Sequence, residues 1–276
     1  MSTSKIYLMT DLEGVAGVLD SENWCLISGK YYELAKELLT LEVNAAVSGF
    51  FEGGATEILV SDGHGCGGIA VNLLDPRVDY LRGWPEGWPL NLDSTFETVA
   101  WIGQHAKAGT EYAHLAHTQS MEYIDLSVNG TSIGEFGQLG MCASELGVRS
   151  IFGSGDEAFT KEAKALVPGI ETVSVKRGLT PGKGDELPAD AYRCRNTAAI
   201  HIPPERARAL IREGAKRAVE RARAEDFGLI RMSPPYERTV VLRPNAVSPK
   251  RVARDSHESS FIALMNLALK PAPIAG

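Results

Sequence analysis

Residues 6–14 read IYLMTDLEG, a short apolar run that ends in two carboxylates and a glycine. Two further stretches repeat this arrangement, since strand-like runs also precede SDGH at residues 61–64 and GQH at residues 103–105. In open α/β sheets, ligands bind outside the carboxyl ends of the strands. The three stretches therefore predict an α/β fold in which carboxylates and histidines meet at one edge of a sheet.

Composition and charge narrow the class of protein. The chain has 276 residues, of which 44% are hydrophobic, enough for one large α/β domain or two modest ones. Its formal net charge of −7 argues against a nucleic-acid partner, because phosphate binding needs a basic face. We expect no membrane partner, because no apolar stretch approaches the roughly 20 residues of a membrane span. The polar start at residues 1–5 lacks a signal-peptide pattern and no CxxC pair occurs, so we expect a cytoplasmic protein with reduced thiols.

The chain opens with a strand–helix–strand unit. Residues 6–10 and 57–60 are apolar runs typical of buried strands, and residues 30–51 carry leucines at helical spacing, beginning with Leu34 and Leu38. This order implies a parallel strand pair with a right-handed crossover. Further strands are predicted at residues 78–81, 98–102, 150–153, 171–175 and 239–242, a hairpin at residues 124–133, and helices at residues 135–146, 157–166, 205–223 and 259–269.

These elements predict a three-layer α/β/α fold with a mostly parallel sheet, plus a smaller C-terminal α+β portion. A segment rich in glycine, proline and charge at residues 178–188 is typical of a loop or linker. It suggests a metal-binding α/β catalytic domain at residues 1–180 and a C-terminal α+β portion at residues 181–276, with one continuous fold as the alternative.

Five side chains are candidate metal ligands. Asp11 and Glu13 are two residues apart, so on a strand both point to the same face. His64 and His105 follow strands, and Glu135 stands at the predicted start of a helix. Such carboxylates and imidazoles suit one or two zinc-like ions, and with two ions Asp11 is the candidate bridge. Each residue also has a structural explanation, such as a turn for Asp11 or a favourable helix dipole for Glu135.

The chain resembles the DppA-like D-aminopeptidases, a family of zinc-dependent peptidases. The resemblance covers residues 5–175 well and the remainder loosely. It rests on four motifs in the family's order and at roughly its spacings. They are DLEG at residues 11–14, DGH at residues 62–64, GQHA at residues 103–106 and GEFG at residues 134–137.

The resemblance implies a dinuclear zinc centre, with two Zn²⁺ ions per chain. One ion would be held by Asp11, Glu13 and His64. The other would be held by Asp11, His105 and Glu135, with Asp11 as the bridge.

A catalytic histidine shortly after the third motif is also implied by the resemblance. We assign it to His117, and His114 competes for the role. Hydrogen bonding to an oxyanion, proton transfer and nucleophilic attack all remain open for it. Members of the family are similar in forming ring-shaped decamers of two stacked pentamers, so we expect a homodecamer.

The predicted function is a zinc-dependent aminopeptidase that hydrolyses short peptides by a water activated by two metals. A preference for D-amino-acid residues comes from the resemblance alone. The alternatives are a two-metal phosphoesterase, for which no arginine or lysine motif stands beside the ligands, and an inactive metal-binding ring scaffold.

Several neighbouring residues have open assignments. Asp62 is predicted either to orient His64 or to form a turn. Trp84 and Trp88 lie in a loop rich in proline and glycine that shapes either a pocket or an oligomer contact, whereas Trp101 is predicted to be core.

Overall fold

A mostly parallel sheet forms the centre of the computed structural model, which describes residues 4–274. Residues 1–3, part of the polar start considered above, and residues 275–276 lie outside this range. In spatial order the strands are β3 (Asp79–Leu81), β2 (Glu57–Asp62), β1 (Lys5–Thr10), β4 (Thr98–Gln104), β7 (Arg149–Asp156), β8 (Glu171–Gly178) and β9 (Ala199–His201). All neighbours run parallel except β8 and β9.

A second sheet is antiparallel. Its strands, in spatial order, are β12 (Ala272–Pro273), β11 (Arg251–His257), β10 (Tyr236–Leu242), β5 (Tyr123–Val128) and β6 (Thr131–Ser132). The predicted hairpin is confirmed, because Asn129 and Gly130 join β5 to β6 with positive φ angles of 50° and 78°. Two positive φ angles in a two-residue turn match the twist of the flanking strands.

Helices cover both faces of the main sheet. They are α1 (Ser21–Trp24), α2 (Tyr32–Glu52), α3 (Glu135–Glu145), α4 (Glu157–Leu166), α5 (Ala189–Arg195), α6 (Pro204–Ala224) and α7 (Phe261–Met265), with a 3-10 turn at Val71–Leu73. Successive side chains of β1 alternate between the two faces. Ile6 and Leu8 share a buried cluster with α2 and α6. Tyr7 and Met9 share another with α3 and α4, so the three-layer α/β/α prediction is confirmed.

The helix predicted at residues 30–51 is confirmed as α2. Its inward face includes Ala35 and Leu39, whereas Leu34 is exposed, because apolar residues occupy neighbouring stripes of this helix. One local prediction is wrong. The C-terminal helix predicted at residues 259–269 spans only Phe261–Met265. It ends at Asn266, whose amide donates to the Trp88 carbonyl at 2.8 Å.

Residues after 180 contribute to both sheets. Strand β9 extends the main sheet, and β10, β11 and β12 pair with the earlier hairpin. The domain boundary at residue 180 stays a prediction, with the continuous fold as its alternative. Across residues 4–274, every helix is too short or too polar to cross a membrane.

Candidate metal centre

The carboxyl ends of β2, β1 and β4 lie side by side in the middle of the main sheet. Asp11 follows β1, His64 lies two residues beyond β2, and His105 directly follows β4. Glu135 is the first residue of α3. The topology therefore carries these four side chains to one edge of the sheet, where ligands bind in open α/β folds.

Two glycines let the loops after β1 and β4 touch. The Gly14 N–H donates to the Gly103 carbonyl at 2.7 Å, and the Asp11 N–H donates to the Ile102 carbonyl at 2.9 Å. A Cβ on Gly14 would overlap the Gln104 carbonyl, and one on Gly103 would overlap the Asp11 carbonyl. Gly103 also has a φ of 76°, a conformation that glycine adopts readily.

His64 turns one ring nitrogen toward two carboxylates. Its Nδ1 lies 3.2 Å from Asp11 Oδ1 and 3.4 Å from Glu13 Oε2. Its Nε2 lies 2.7 Å from the Cys25 carbonyl, which can only accept a hydrogen bond. The proton therefore sits on Nε2 in the neutral ring, and Nδ1 keeps its lone pair directed at the carboxylates.

His105 also bonds a backbone carbonyl with one ring nitrogen and faces carboxylates with the other, but here the two nitrogens are exchanged. Its Nδ1 donates to the Ala106 carbonyl at 2.9 Å. Its Nε2 lies 3.2 Å from Asp11 Oδ2 and 3.6 Å from Glu135 Oε1. Asp11 thus presents one carboxylate oxygen to His64 and the other to His105.

His117 lies at the same site. Its ring stacks on His105 with centroids 3.9 Å apart and an interplanar angle of 15°. Its Nδ1 lies 2.9 Å from the Leu115 carbonyl, and its Nε2 is 4.0 Å from Glu135 Oε1. His114 is elsewhere, with its Nε2 donating to the Leu19 carbonyl at 3.1 Å. The structure therefore places His117, rather than His114, beside the predicted ligands.

The donor set fits a divalent cation. Asp11, Glu13, His64 and His105 are buried, and Glu13 Oε2 and His105 Nε2 have no partner with hydrogen-bond geometry. Buried polar atoms without hydrogen bonds are costly unless another partner satisfies them. Among residues 4–274, two groups offer ligand atoms within 4.8 Å of one another: Asp11, Glu13 and His105, and His105, His117 and Glu135. Carboxylate oxygens and imidazole nitrogens so arranged suit zinc.

The electrostatics of the site favour positive charge at its centre. Burial alone lowers the pKa of His64, but the carboxylates of Glu13 and Asp11 raise it to about 12. Burial likewise lowers the pKa of His105, but Glu135 and Asp11 raise it to about 10. Burial raises the pKa of Asp11, yet the two histidines hold it well below its usual range. Asp11 and Glu13, whose pKa values are both lowered, therefore stay ionised and attract a cation.

A cavity of about 620 Å³ opens onto this cluster. Asp11, Glu13, His64, His117 and Glu135 line it, together with a set of large apolar side chains. A larger groove of about 870 Å³ lies elsewhere, and none of the predicted site residues lines it. Of these two cavities, the smaller is the one that the predicted site residues line.

Asp62 is predicted either to orient His64 or to form a turn, and the structure shows the turn. Its carboxylate accepts from the Gly68 N–H at 2.8 Å and from the Tyr80 hydroxyl at 2.9 Å, so it shapes the loop that carries His64. The Cys25 carbonyl, rather than Asp62, fixes the His64 ring.

Two glutamines at the site were missed by sequence reasoning. Gln104 places its Nε2 3.4 Å from Asp11 Oδ2. The backbone N–H of Gln119 donates to Glu135 Oε1 at 2.7 Å. Proximity in sequence to His105 and His117 is the signal that could have pointed to them.

Comparisons with known proteins identify a family and a shared fold. The peptidase M55 family model, described as D-aminopeptidase, matches residues 4–250. A D-aminopeptidase of Bacillus subtilis (strain 168) is 29% identical over 218 residues, covering 73% of this chain and 78% of that protein. The solved structure of a Zn-dependent D-aminopeptidase from Bacillus subtilis, DppA, described as a self-compartmentalizing protease, has a TM-score of 0.79. It is 21% identical, and the match covers 94% of this chain and 93% of that one, which shows a shared fold.

Proposed function

The chain belongs to the peptidase M55 family of D-aminopeptidases, and we propose that it hydrolyses short peptides containing D-amino-acid residues at a dinuclear zinc centre. The observation that carries this proposal is the orientation of two histidines. His64 and His105 each bond one ring nitrogen to a backbone carbonyl and turn the other toward carboxylates. Metal-binding histidines are commonly fixed in this way.

The family match confirms the predicted resemblance and the assignment as a D-aminopeptidase-like hydrolase. It does not favour either alternative, the two-metal phosphoesterase or the inactive ring scaffold. Zinc as the metal is supported by the ligand chemistry and by the similar structure, which is described as Zn-dependent.

The proposed ligands divide between two ions. Asp11, Glu13 and His64 would hold one, and Asp11, His105 and Glu135 would hold the other. The bridging role of Asp11 is supported by its two oxygens, which face His64 and His105 separately. Zinc ions bound there would supply Lewis acidity and lower the pKa of a water toward neutrality.

His117 is the proposed catalytic residue. Because its Nδ1 faces the Leu115 carbonyl, Nε2 is the atom that can accept a proton from the attacking water or donate one to the leaving amine. In its protonated form the same atom can donate a hydrogen bond to the developing oxyanion. Stacking on His105 and the nearby Glu135 hold the ring at the mouth of the cluster.

We also propose that the protein assembles into a homo-oligomeric ring, with the decamer as its expected size. Support comes from the structural relative described as self-compartmentalizing. A cytoplasmic location is proposed because the four cysteines are all unpaired, as is usual in a reducing compartment. Mass photometry of the purified protein tests the ring size.

The function is tested with a matched panel of D- and L-dipeptides and phosphate esters, using zinc-loaded protein. We expect release of the N-terminal residue, its loss with a chelator and its recovery when zinc returns. Hydrolysis of phosphate esters without peptide cleavage would contradict the proposal in favour of the phosphoesterase. Zinc binding without any turnover would point to the inactive scaffold.

A further inference from the structure

The cavity at the metal centre has a second, apolar wall that the proposed chemistry does not use. Its members belong to one continuous hydrophobic cluster on the α3 and α4 side of the main sheet. They are Met9, Trp84, Trp88, Leu90, Trp101 and Leu139. This wall borders the same space as the predicted ligands.

The base of the wall is rigid. Trp101 and Leu139 are each only 1% exposed, although both line the cavity. The Trp101 ring packs against Phe136 with centroids 4.5 Å apart. Close packing of this kind leaves large side chains little room to move.

The rim of the wall is anchored at both ends. The Trp84 indole N–H donates to Ser61 Oγ at 3.1 Å, which ties the rim to β2. Asn266, just after α7, accepts from the Trp88 N–H at 3.0 Å and donates to the Trp88 carbonyl at 2.8 Å. The Tyr7 hydroxyl on β1 donates to the Leu90 carbonyl at 2.5 Å. The half-buried tryptophans are therefore held beside the metal centre before any substrate arrives.

This wall offers hydrophobic contact and few hydrogen bonds. The Trp84 N–H is already bonded to Ser61, so it is not free to bond a group in the cavity. A polar side chain placed against Met9, Leu90 or Leu139 would lose its water without gaining a hydrogen bond from their side chains. A large apolar side chain would be buried favourably, whereas a methyl group would leave much of the wall uncovered.

The reaction places one particular side chain near the wall. An aminopeptidase must hold both the free α-amine and the scissile carbonyl of the first residue close to the metals. The side chain of that same residue branches between these two groups, while the rest of the peptide leads away. We propose, on the basis of the proposed function, that the enzyme selects peptides whose N-terminal residue carries a bulky apolar side chain seated against Trp84, Trp88 and Trp101.

The test compares peptides that differ only in the first residue. Zinc-loaded protein is assayed with alanine, leucine or phenylalanine before glycine, in both the D and the L series. Within the series that is hydrolysed, kcat/KM with leucine or phenylalanine first is expected to exceed that with alanine first by about tenfold or more. Equal or better turnover of the alanine peptide overturns the inference and leaves the proposed function intact. Hydrolysis of none of these peptides, with zinc bound, contradicts the proposed function and the inference together.

Two variants locate the selectivity. Trp88→Leu is expected to lower the ratio of kcat/KM for phenylalanine-first over alanine-first peptides at least threefold, roughly the loss of part of one apolar contact. Trp84→Phe keeps a ring but loses the indole N–H, so it should lower the ratio less. The ratio does not depend on the fraction of folded protein, which keeps the test valid if a variant folds poorly.

Phe227→Leu is the matched control, because Phe227 is a half-buried aromatic residue that packs against Arg149 and does not line the cavity. Its ratio of kcat/KM for phenylalanine-first over alanine-first peptides should equal that of the unaltered protein. A change in oligomer size for Trp88→Leu with an unchanged ratio would assign the wall to a subunit contact and overturn the inference. Selectivity that depends on the second residue of the peptide instead of the first would overturn it as well.

Discussion

Two pairs of histidines in this molecule have opposite electrostatic surroundings. Burial lowers the pKa of all four, but carboxylates raise those of His64 and His105 to about 12 and about 10. Burial and the cationic Lys176 instead lower the pKa of His114 to about 2 and that of His201 to about 4. The charge of the neighbours, rather than burial, therefore decides which histidine is suited to a metal site.

The second pair has a structural role next to the first. Four side chains each hold one backbone group of residues 16–19, the loop that follows Glu13. They are Glu42 on the Ala16 N–H (2.9 Å), His201 on the Gly17 N–H (3.1 Å), Lys176 on the Val18 carbonyl (3.3 Å) and His114 on the Leu19 carbonyl (3.1 Å). One region thus gathers carboxylates around its histidines, and the other fixes the loop beside it.

Asp11→Asn should have the largest effect, because it weakens both proposed metal sites at once. We expect fewer than two zinc ions per chain and a loss of kcat/KM beyond the roughly 10²–10⁴-fold that one acid–base residue contributes. Elemental analysis and peptide kinetics measure both quantities.

Asp156→Asn is the matched control. Asp156 is also a buried aspartate at the end of a main-sheet strand, but it accepts from the Phe159 and His114 N–H groups. This variant should lose thermal stability and keep its zinc. Full zinc content and full turnover in Asp11→Asn would show that the bridging role is wrong.

His117→Asn should have the next largest effect and should separate chemistry from metal binding. We expect the zinc content to stay near that of the unaltered protein while kcat falls about 10²–10⁴-fold and KM changes little. The control is His114→Gln, which keeps a donor for the Leu19 carbonyl and should lower kcat far less. If the zinc-loaded His114→Gln variant lost turnover and the zinc-loaded His117→Asn variant did not, the catalytic role would belong to His114.

The pH dependence of the free energy of unfolding should also distinguish the two regions, with a smaller effect than Asp11→Asn or His117→Asn. The folded-state pKa of His114 lies below its unfolded value of 6.5, so its contribution to stability is present above pH 6.5. That contribution is lost as the pH falls, because the unfolded chain binds the proton first. Between pH 6.5 and 5, the free energy of unfolding should fall by about 2 kcal/mol more in the unaltered protein than in His114→Gln.

Chemical denaturation of both proteins without zinc measures this difference, since acid release of metal then plays no part. His64 and His105 are present in both proteins, so their contribution cancels. If the free energy of unfolding changed equally with pH in the two proteins, this would contradict the neutral state of His114 in the folded protein.

The sheet and the clustering of the candidate side chains at its edge could be predicted because their signals are local. The apolar runs before Asp11, His64 and His105 identify strands, and parallel strands end at a common edge. Strand β11 has no such signal, because it reads RVARDSH and is largely polar. Its pairing with β10 supplies the hydrogen bonds that its sequence does not indicate.

The rest of the site depends on contacts between residues far apart in the chain. The carbonyl that fixes His64 belongs to Cys25, in a different loop. Lys176, which lowers the pKa of His114, lies on β8, and nothing near His114 in sequence indicates it. Sequence reasoning could therefore name both His114 and His117, but only the fold separates them.

The most direct test of the dinuclear centre is the metal content of protein purified without a chelator. Elemental analysis should find about two zinc ions per chain, as a bridging Asp11 between two sets of ligands requires. A single ion that stays single after zinc is supplied would contradict the bridge. No bound metal, even after zinc is supplied, would contradict the dinuclear centre itself.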